Sequence, residues 1–222
     1  TLLPKQAVVK IDPDIPLDIA SLIGCGVMTG AGAALNTAKV TPGSSVIVYG
    51  AGGVGIAAIQ GARIAGAAEI VAVDLNDDKL DDARRFGATH AVKPEDVDGA
   101  KLEITGGDGF DYALECIGRP QTMRASYDAI RRGGTACIVG VGRAEEMVEF
   151  SAFELFFMEK TLVGSYYGGT DVRSDFHKLL RLYKQGKLDL EGMITRRIKI
   201  DEINPALEAV RKGEVIRQVI EF

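Results

Sequence analysis

The sequence predicts an α/β fold: a six-stranded, doubly wound parallel sheet, flanked at both ends by segments of a different pattern. Three observations carry this. A β-branched and aromatic run, Val46-Ile-Val-Tyr49, ends directly in Gly50-Ala51-Gly52-Gly53-Val54-Gly55, and a small-residue helix follows. A second apolar run, Glu69-Ile-Val-Ala-Val73, ends in an acid, Asp74, nineteen residues past Gly55. Beyond it, strand-like and helix-compatible segments alternate to about residue 166, the pattern of a parallel sheet covered on both faces.

In chain order, residues 1–24, with Pro4, Pro13 and Pro16, read as an extended lead-in, and Gly24-Cys25-Gly26 as a turn. Strand-like runs follow at Val46–Tyr49, Ile70–Val73, His90–Val92, Phe110–Cys116, Thr135–Val139 and Thr161–Tyr166. Helix-compatible composition fills 53–66, 76–87, 120–132 and 150–159. The tail then changes pattern: a strand at Met193–Ile200, a helix at Asp201–Lys212 and a strand at Val215–Phe222. Asp201 is placed as its N-cap and Gly213 as its C-terminal glycine. Three segments are expected: 1–26 as a lead-in and hinge, 27–168 as the doubly wound domain, and 169–222 as a segment packing elsewhere.

The glycine turn has a specific chemistry. Gly50 lets the chain leave the strand sharply, where a Cβ is strained. Gly52 lets a pyrophosphate approach the backbone, and Gly55 lets the helix lie close on the sheet. The helix start aims unpaired N–H groups and a positive dipole end at the phosphates. Asp74 stands where a carboxylate accepts hydrogen bonds from both hydroxyls of an adenosine ribose. The following residues, Leu75, Asn76, Asp77 and Asp78, include no Arg to welcome a 2′-phosphate. The pattern points to a dinucleotide-binding (Rossmann) fold that prefers NAD to NADP. A methyltransferase-type nucleotide site, which also ends one strand in glycines and the next in an acid, is the rival.

The formal charge of −5, without a basic cluster, argues against nucleic acid as a partner. No apolar run reads as the roughly 18 residues of a membrane span, and the expected location is cytoplasmic. Three cysteines in a long, core-rich chain fit a reducing compartment. Cys116 and Cys137 fall in strand runs and read as core thiols. His90 and His177, at a strand start and in a polar helix, do not read as metal ligands. Asp77 and Asp78 suit a solvated helix start. Tyr166 and Tyr167 fit a substrate pocket, strand core or dimer contact. Phe153, Phe156 and Phe157 fit a helix packing on the sheet or on a partner subunit.

Further motifs run in order along the chain: Leu22-Ile-Gly-Cys25-Gly-Val-Met-Thr29-Gly, the glycine turn, Asp74 with Lys79, Glu115-Cys-Ile-Gly118-Arg119, Ile138-Val-Gly-Val141, Tyr167-Gly-Gly169 and Gly213-Glu-Val-Ile-Arg217. Together they resemble the zinc-dependent medium-chain alcohol dehydrogenases. Ala33-Ala-Leu-Asn-Thr-Ala-Lys-Val-Thr-Pro-Gly-Ser44 is most similar to their class III and aryl-alcohol branches. The resemblance implies that Cys25 is a catalytic-zinc ligand and that Thr29 and Val54 pack beside the nicotinamide. It implies that Lys79 joins Asp74 at the ribose, with Gly50, Ala51, Gly52, Gly53, Val54, Gly55 and Ile117 around the coenzyme. Backbone at Val139, Gly140 and Val141, with Ser165 and Tyr167, would hold the nicotinamide half, and Arg217 the pyrophosphate. It also implies a homodimer through the strand near 161–166.

In that family an N-terminal domain supplies the remaining zinc ligands, the proton-passing hydroxyl and a structural zinc loop; none of these motifs occurs in the 222 residues. The implied activity is hydride transfer between an alcohol or aldehyde and NAD, assisted by zinc. The expectation for the chain by itself is NAD(H) binding without turnover. A stand-alone NAD-binding module is the second reading, and an S-adenosylmethionine-dependent methyltransferase the third.

Overall fold

A computed structural model describes residues 2–222; Thr1, the first residue of the expected lead-in, lies outside them. The chain opens with helices α1 (Leu17–Leu22) and α2 (Met28–Gly32), joined by a π turn at Ile23–Val27 and extended by another at Ala33–Thr37. Strands β1 (Ser45–Tyr49), β2 (Glu69–Val73) and β3 (His90–Val92) alternate with α3 (Gly53–Ala65) and α4 (Asp77–Arg85). Then come α5 (Val97–Thr105), β4 (Phe110–Glu115), α6 (Pro120–Ala129), β5 (Ile130–Ile138), α7 (Ala152–Phe157), β6 (Thr161–Gly164) and α8 (Val172–Lys184). The tail holds β7 (Ile194–Ile198), α9 (Ile203–Arg211) and β8 (Arg217–Ile220).

The first six strands pair in parallel in the order β3-β2-β1-β4-β5-β6. This is the expected α/β, doubly wound sheet. Connections leave β1 and β4 towards opposite edges, which opens a crevice at their C-terminal ends, the ligand-binding place in such sheets. Side chains alternate across the pleat. Val46 and Val48 of β1 join a core with the Leu17–Thr37 helix and α3, whereas Ile47 and Tyr49 join a second core with Phe110, Tyr127 and Ile130. Both faces are covered, so β1 has to be apolar throughout.

Two sequence readings are corrected. Cys25 does not lie in a chain-reversing turn: its glycine-flanked segment, Ile23–Val27, is π-helical and sits inside one helical run. That run, Leu17–Thr37, is also long and apolar enough to cross a membrane, contrary to the expectation that no such stretch exists. Burial explains its composition, because it packs on α3 through small residues. A Cβ on Gly30 would stand 2.8 Å from the Ala57 Cβ, and one on Gly61 2.8 Å from the Ala31 Cα. α5 went unread, and β5 starts earlier than Thr135 because Ile130 already pairs with Phe110 before a register shift. The tail strands pair only with each other, yet Leu188, Leu190, Met193 and Ile216 join the main core.

At the N-terminal ends of β1 and β4, Asp111 locks the register. Its Oδ2 accepts from Ser45 N–H (2.8 Å) and the Ser45 hydroxyl (3.0 Å), and Oδ1 from Arg131 Nε (2.7 Å). Burial alone would raise its carboxyl, but these donors outweigh burial and hold it below the ordinary carboxylate range. The resulting stabilisation is complete above the unfolded value of about 3.9 and is lost as pH falls through the folded value. Asp111→Asn is expected to cost about 1–3 kcal/mol at neutral pH. In urea melts the deficit should shrink as pH falls below about 3.9 towards the folded value; a deficit that does not change with pH would contradict this account.

Candidate functional site

The glycine turn occupies the crevice between β1 and β4. Gly50 is left-handed (φ 90°), and its N–H donates to the Val73 carbonyl at 2.8 Å. Gly52 caps α3 in an extended conformation without a side-chain hydrogen bond. A Cβ on Gly55 would fall into the Gly50 carbonyl, so the turn closes only around a glycine there. Gly52 is exposed, and a Cβ on it would meet nothing within 4 Å, leaving the backbone open to the crevice. Ala51 is buried and Val54 half-buried beside it. The first-turn N–H groups of α3 make an anion-binding surface.

Asp74, at the end of β2, ties into that turn. Its Oδ2 accepts from Ala51 N–H (2.8 Å) and its Oδ1 from Asn76 N–H (3.0 Å), with lone pairs left over for hydroxyl donors. A cavity of about 640 Å³ opens beside it, bounded by Leu75, Pro94, Ile117, Arg119 and Thr122, with Tyr49 at its floor. That volume suits a small-molecule site. Burial pushes the Tyr49 phenol well above its ordinary range, with Asp128 and Asp98 adding to the effect, and its hydroxyl faces the Ala125 carbonyl at 3.4 Å. Lys79 is buried; its Nζ donates to the Val215 carbonyl (2.7 Å), and burial lowers its pKa against the pull of Asp82 and Asp74. Its ammonium therefore joins α4 to the tail while sitting in the field of Asp74.

Arg217 arrives from β8. Its guanidinium lies over Gly26 and Gly53: a Cβ on Gly53 would meet Nε at 2.8 Å, and one on Gly26 would meet Cζ at 2.9 Å. Burial lowers its pKa, with Cys25 acting the other way, and its Nη1 donates to the Ile216 carbonyl at 3.3 Å. A guanidinium stays charged in proteins. A fixed positive charge and the positive end of α3 thus converge on the turn, an arrangement that favours a dianionic ligand.

Along the crevice, Thr29 is half-buried and Val141 91% exposed. Val139 and Gly140 donate their N–H groups to the Glu115 carbonyl (2.8 and 2.9 Å). The Ser165 N–H donates to the Ile138 carbonyl (2.8 Å), and its hydroxyl meets Thr37 Oγ1 at 2.9 Å. Tyr167 is left-handed (φ 52°), and its hydroxyl donates to the Gly24 carbonyl (2.7 Å), which fixes the segment carrying Cys25. Of the expected coenzyme residues, Asp74 and Ile117 line the cavity, Ala51 bonds Asp74 and Arg217 lies against Gly53. Reasoning from sequence missed Tyr49, Arg119 and above all Glu115 as site residues. β4 (FDYALE) does end in an acid, but Asp111 interrupts its apolar run, so nothing local marked Glu115.

The donor set does not fit a catalytic zinc. Such a site takes three protein ligands, and among the described residues no group of three His, Cys, Asp or Glu is placed to hold a metal. Cys25 is exposed and is the one candidate. Burial pushes the Cys137 thiol up to about 12 and Cys116 well above its ordinary value, which suits their reading as core thiols.

A family profile described as zinc-binding dehydrogenase matches residues 53–185. Alcohol dehydrogenase class-3 of Cereibacter sphaeroides is 39% identical over all of this chain and 61% of its own length. Benzyl alcohol dehydrogenase from Acinetobacter calcoaceticus superposes with a TM-score of 0.92 at 35% identity, covering 96% of this chain and 59% of that one. An alcohol dehydrogenase zinc-binding domain protein from Burkholderia ambifaria gives 0.91 at 35% identity, with 96% and 58% covered. The chain thus spans about 60% of the length of these relatives. It belongs to the zinc-binding dehydrogenase family.

Proposed function

We propose that this chain binds NAD(H) and forms the coenzyme-binding part of an NAD-dependent alcohol or aldehyde oxidoreductase. The observation that carries this is the convergence of the Arg217 guanidinium and the Asp74 carboxylate on the open glycine turn. The pyrophosphate lies on the α3 N-terminus against Arg217. The adenosine ribose bonds Asp74 with Lys79 nearby, and the adenine enters the cavity beside Ile117. The nicotinamide half lies along Thr29, Val54, Val139, Gly140, Val141, Ser165 and Tyr167. The segments 1–26, 27–168 and 169–222 remain the proposed division. In the whole protein, zinc would act as a Lewis acid on the alcohol oxygen, with Cys25 as one ligand. By itself the chain is proposed to bind coenzyme without turnover, and zinc-dependent alcohol oxidation by the 222 residues alone would overturn that part. An S-adenosylmethionine site gains no support from the matches to dehydrogenases. The proposed location is cytoplasmic.

Calorimetric titration with NADH and NADPH tests the coenzyme assignment. Saturable NADH binding, with NADPH weaker, is expected; a folded chain that binds neither would refute it. A homodimer through β6 is proposed as well. β6 is one of the two edge strands of the sheet, and Leu162 is 42% exposed on it. An open edge of this kind invites pairing. Sedimentation should give a dimer that dissociates in Leu162→Pro, since Pro removes a ladder donor; a wild-type monomer at micromolar concentration would contradict it.

A further inference from the structure

Glu115 closes β4 at the switch point and is fully buried. Its Oε1 accepts three donors: Ile117 N–H (3.0 Å), Gly118 N–H (2.8 Å) and the Thr122 hydroxyl (2.7 Å). Its main-chain carbonyl accepts from Val139 and Gly140 N–H. The other carboxyl oxygen, Oε2, is buried without a hydrogen-bond partner and faces Gly140, where a Cβ would stand 2.7 Å away. Gly118, left-handed at φ 89°, backs directly on Val141, whose C and N atoms would lie 2.7 Å from a Cβ there. One residue therefore grips two stretches more than twenty positions apart in sequence. Ile117 lines the cavity beside Asp74, and Val139–Val141 is the stretch proposed above to hold the nicotinamide half.

We propose that Glu115 is a positioning residue: it locks the Ile117–Gly118 turn and the Val139–Val141 segment into one rigid edge, which presents the two halves of the coenzyme at a fixed spacing. The proposal rests on the NAD(H) reading above. Buried polar groups are normally paired, and here a carboxylate stands in a core that an apolar residue would fill without an orphaned oxygen. What the carboxyl supplies, and an apolar side chain lacks, is an acceptor for two consecutive N–H groups and a hydroxyl. Without it, Gly118 is free to move away from Val141, and the edge has to be ordered when the ligand binds. Ordering of that kind weakens affinity. The loss falls hardest on a ligand that spans both stretches. AMP touches only the adenine side, whereas NADH touches both.

The test measures NADH and AMP affinity of the full chain as wild type, Glu115→Ala and Glu115→Gln, with amide hydrogen exchange on each. Glu115→Ala is expected to weaken NADH about tenfold and AMP less than threefold, the order of one to two lost hydrogen bonds. Exchange should rise at Ile117 and Gly118, which lose their acceptor. It should rise also at Val139 and Gly140, although the Glu115 carbonyl that accepts from them is retained, because Gly118 no longer packs on Gly140 and Val141. Glu115→Gln keeps an acceptor at Oε1 and should restore most of both. If Glu115→Ala fails to fold, Thr122→Val removes one donor alone and should give the same pattern, smaller. Equal losses for AMP and NADH, or faster exchange confined to 116–122, would overturn the positioning role while leaving the coenzyme reading intact. A wild-type chain that binds no NADH would overturn both.

Discussion

Replacing Asp74 with Ala is expected to weaken NADH binding about tenfold to a hundredfold, the loss of one charge-assisted hydrogen bond at about 1.5–3 kcal/mol. Part of the effect is indirect. The carboxylate holds Ala51 N–H at 2.8 Å and Asn76 N–H at 3.0 Å, so its removal frees the glycine turn as well as the ribose. Asp74→Asn separates the two contributions. It keeps an acceptor for the turn and removes the charge, whose repulsion with a 2′-phosphate is about 4 kcal/mol per charge pair at 4 Å and an effective dielectric of 20. NADPH should therefore gain on NADH in Asp74→Asn. Isothermal titration of both coenzymes with the three proteins decides the matter: an NADH affinity that is the same in Asp74→Ala as in wild type would remove the carboxylate from the site.

Gly55→Ala should be the most damaging single methyl in the chain. The new Cβ falls into the Gly50 carbonyl, which is backbone and cannot swing aside as a flexible side chain can. Either the α3 N-terminus lifts off β1 or Gly50 leaves its left-handed turn. Overpacking of this severity costs roughly 3 kcal/mol, a Tm fall of about 6–12 °C for a chain of this size. NADH binding should disappear even at temperatures where the protein is folded, because the N–H groups of α3 no longer point into the turn. Gly52→Ala is the control. Its Cβ meets nothing within 4 Å, so stability should hold while a pyrophosphate is kept at a distance. Equal melting temperatures for Gly55→Ala and wild type would show that the turn is laxer than its geometry.

Much of this was legible in the sequence because a few residues have one physical solution. A β-branched run ending in Gly50, Gly52 and Gly55 has few folds open to it, and the acid at Asp74 fixed the partner strand. Arg217 was found only through resemblance to the dehydrogenases, since nothing local says that a residue in the last strand meets the first glycines. The Leu17–Thr37 helix was hidden by its own composition. Gly24 and Gly26 suggest a turn, yet Gly26 sits under Arg217, Gly30 against α3 and Gly32 against Gly168, where a Cβ would clash. Tertiary contact overrode propensity. The short α5 carries Gly99 and few apolar positions and gave no clear period. Glu115 escaped because a glutamate among apolar residues ordinarily marks a surface, and only the three donors around Oε1 reveal why it is inside.

The seat of Arg217 has a consequence for how the protein is born. Its guanidinium reaches Gly53 across more than 160 residues of chain. Closing so long a loop costs little extra at equilibrium, since the entropy grows only with the logarithm of length, but the contact forms late, after the N-terminal elements have emerged and folded on the ribosome. A nascent chain can therefore carry a finished sheet and a finished glycine turn while its phosphate seat still lacks its charge. Coenzyme in the surrounding fluid would stabilise chains in which β8 has docked and pass over those in which it has not.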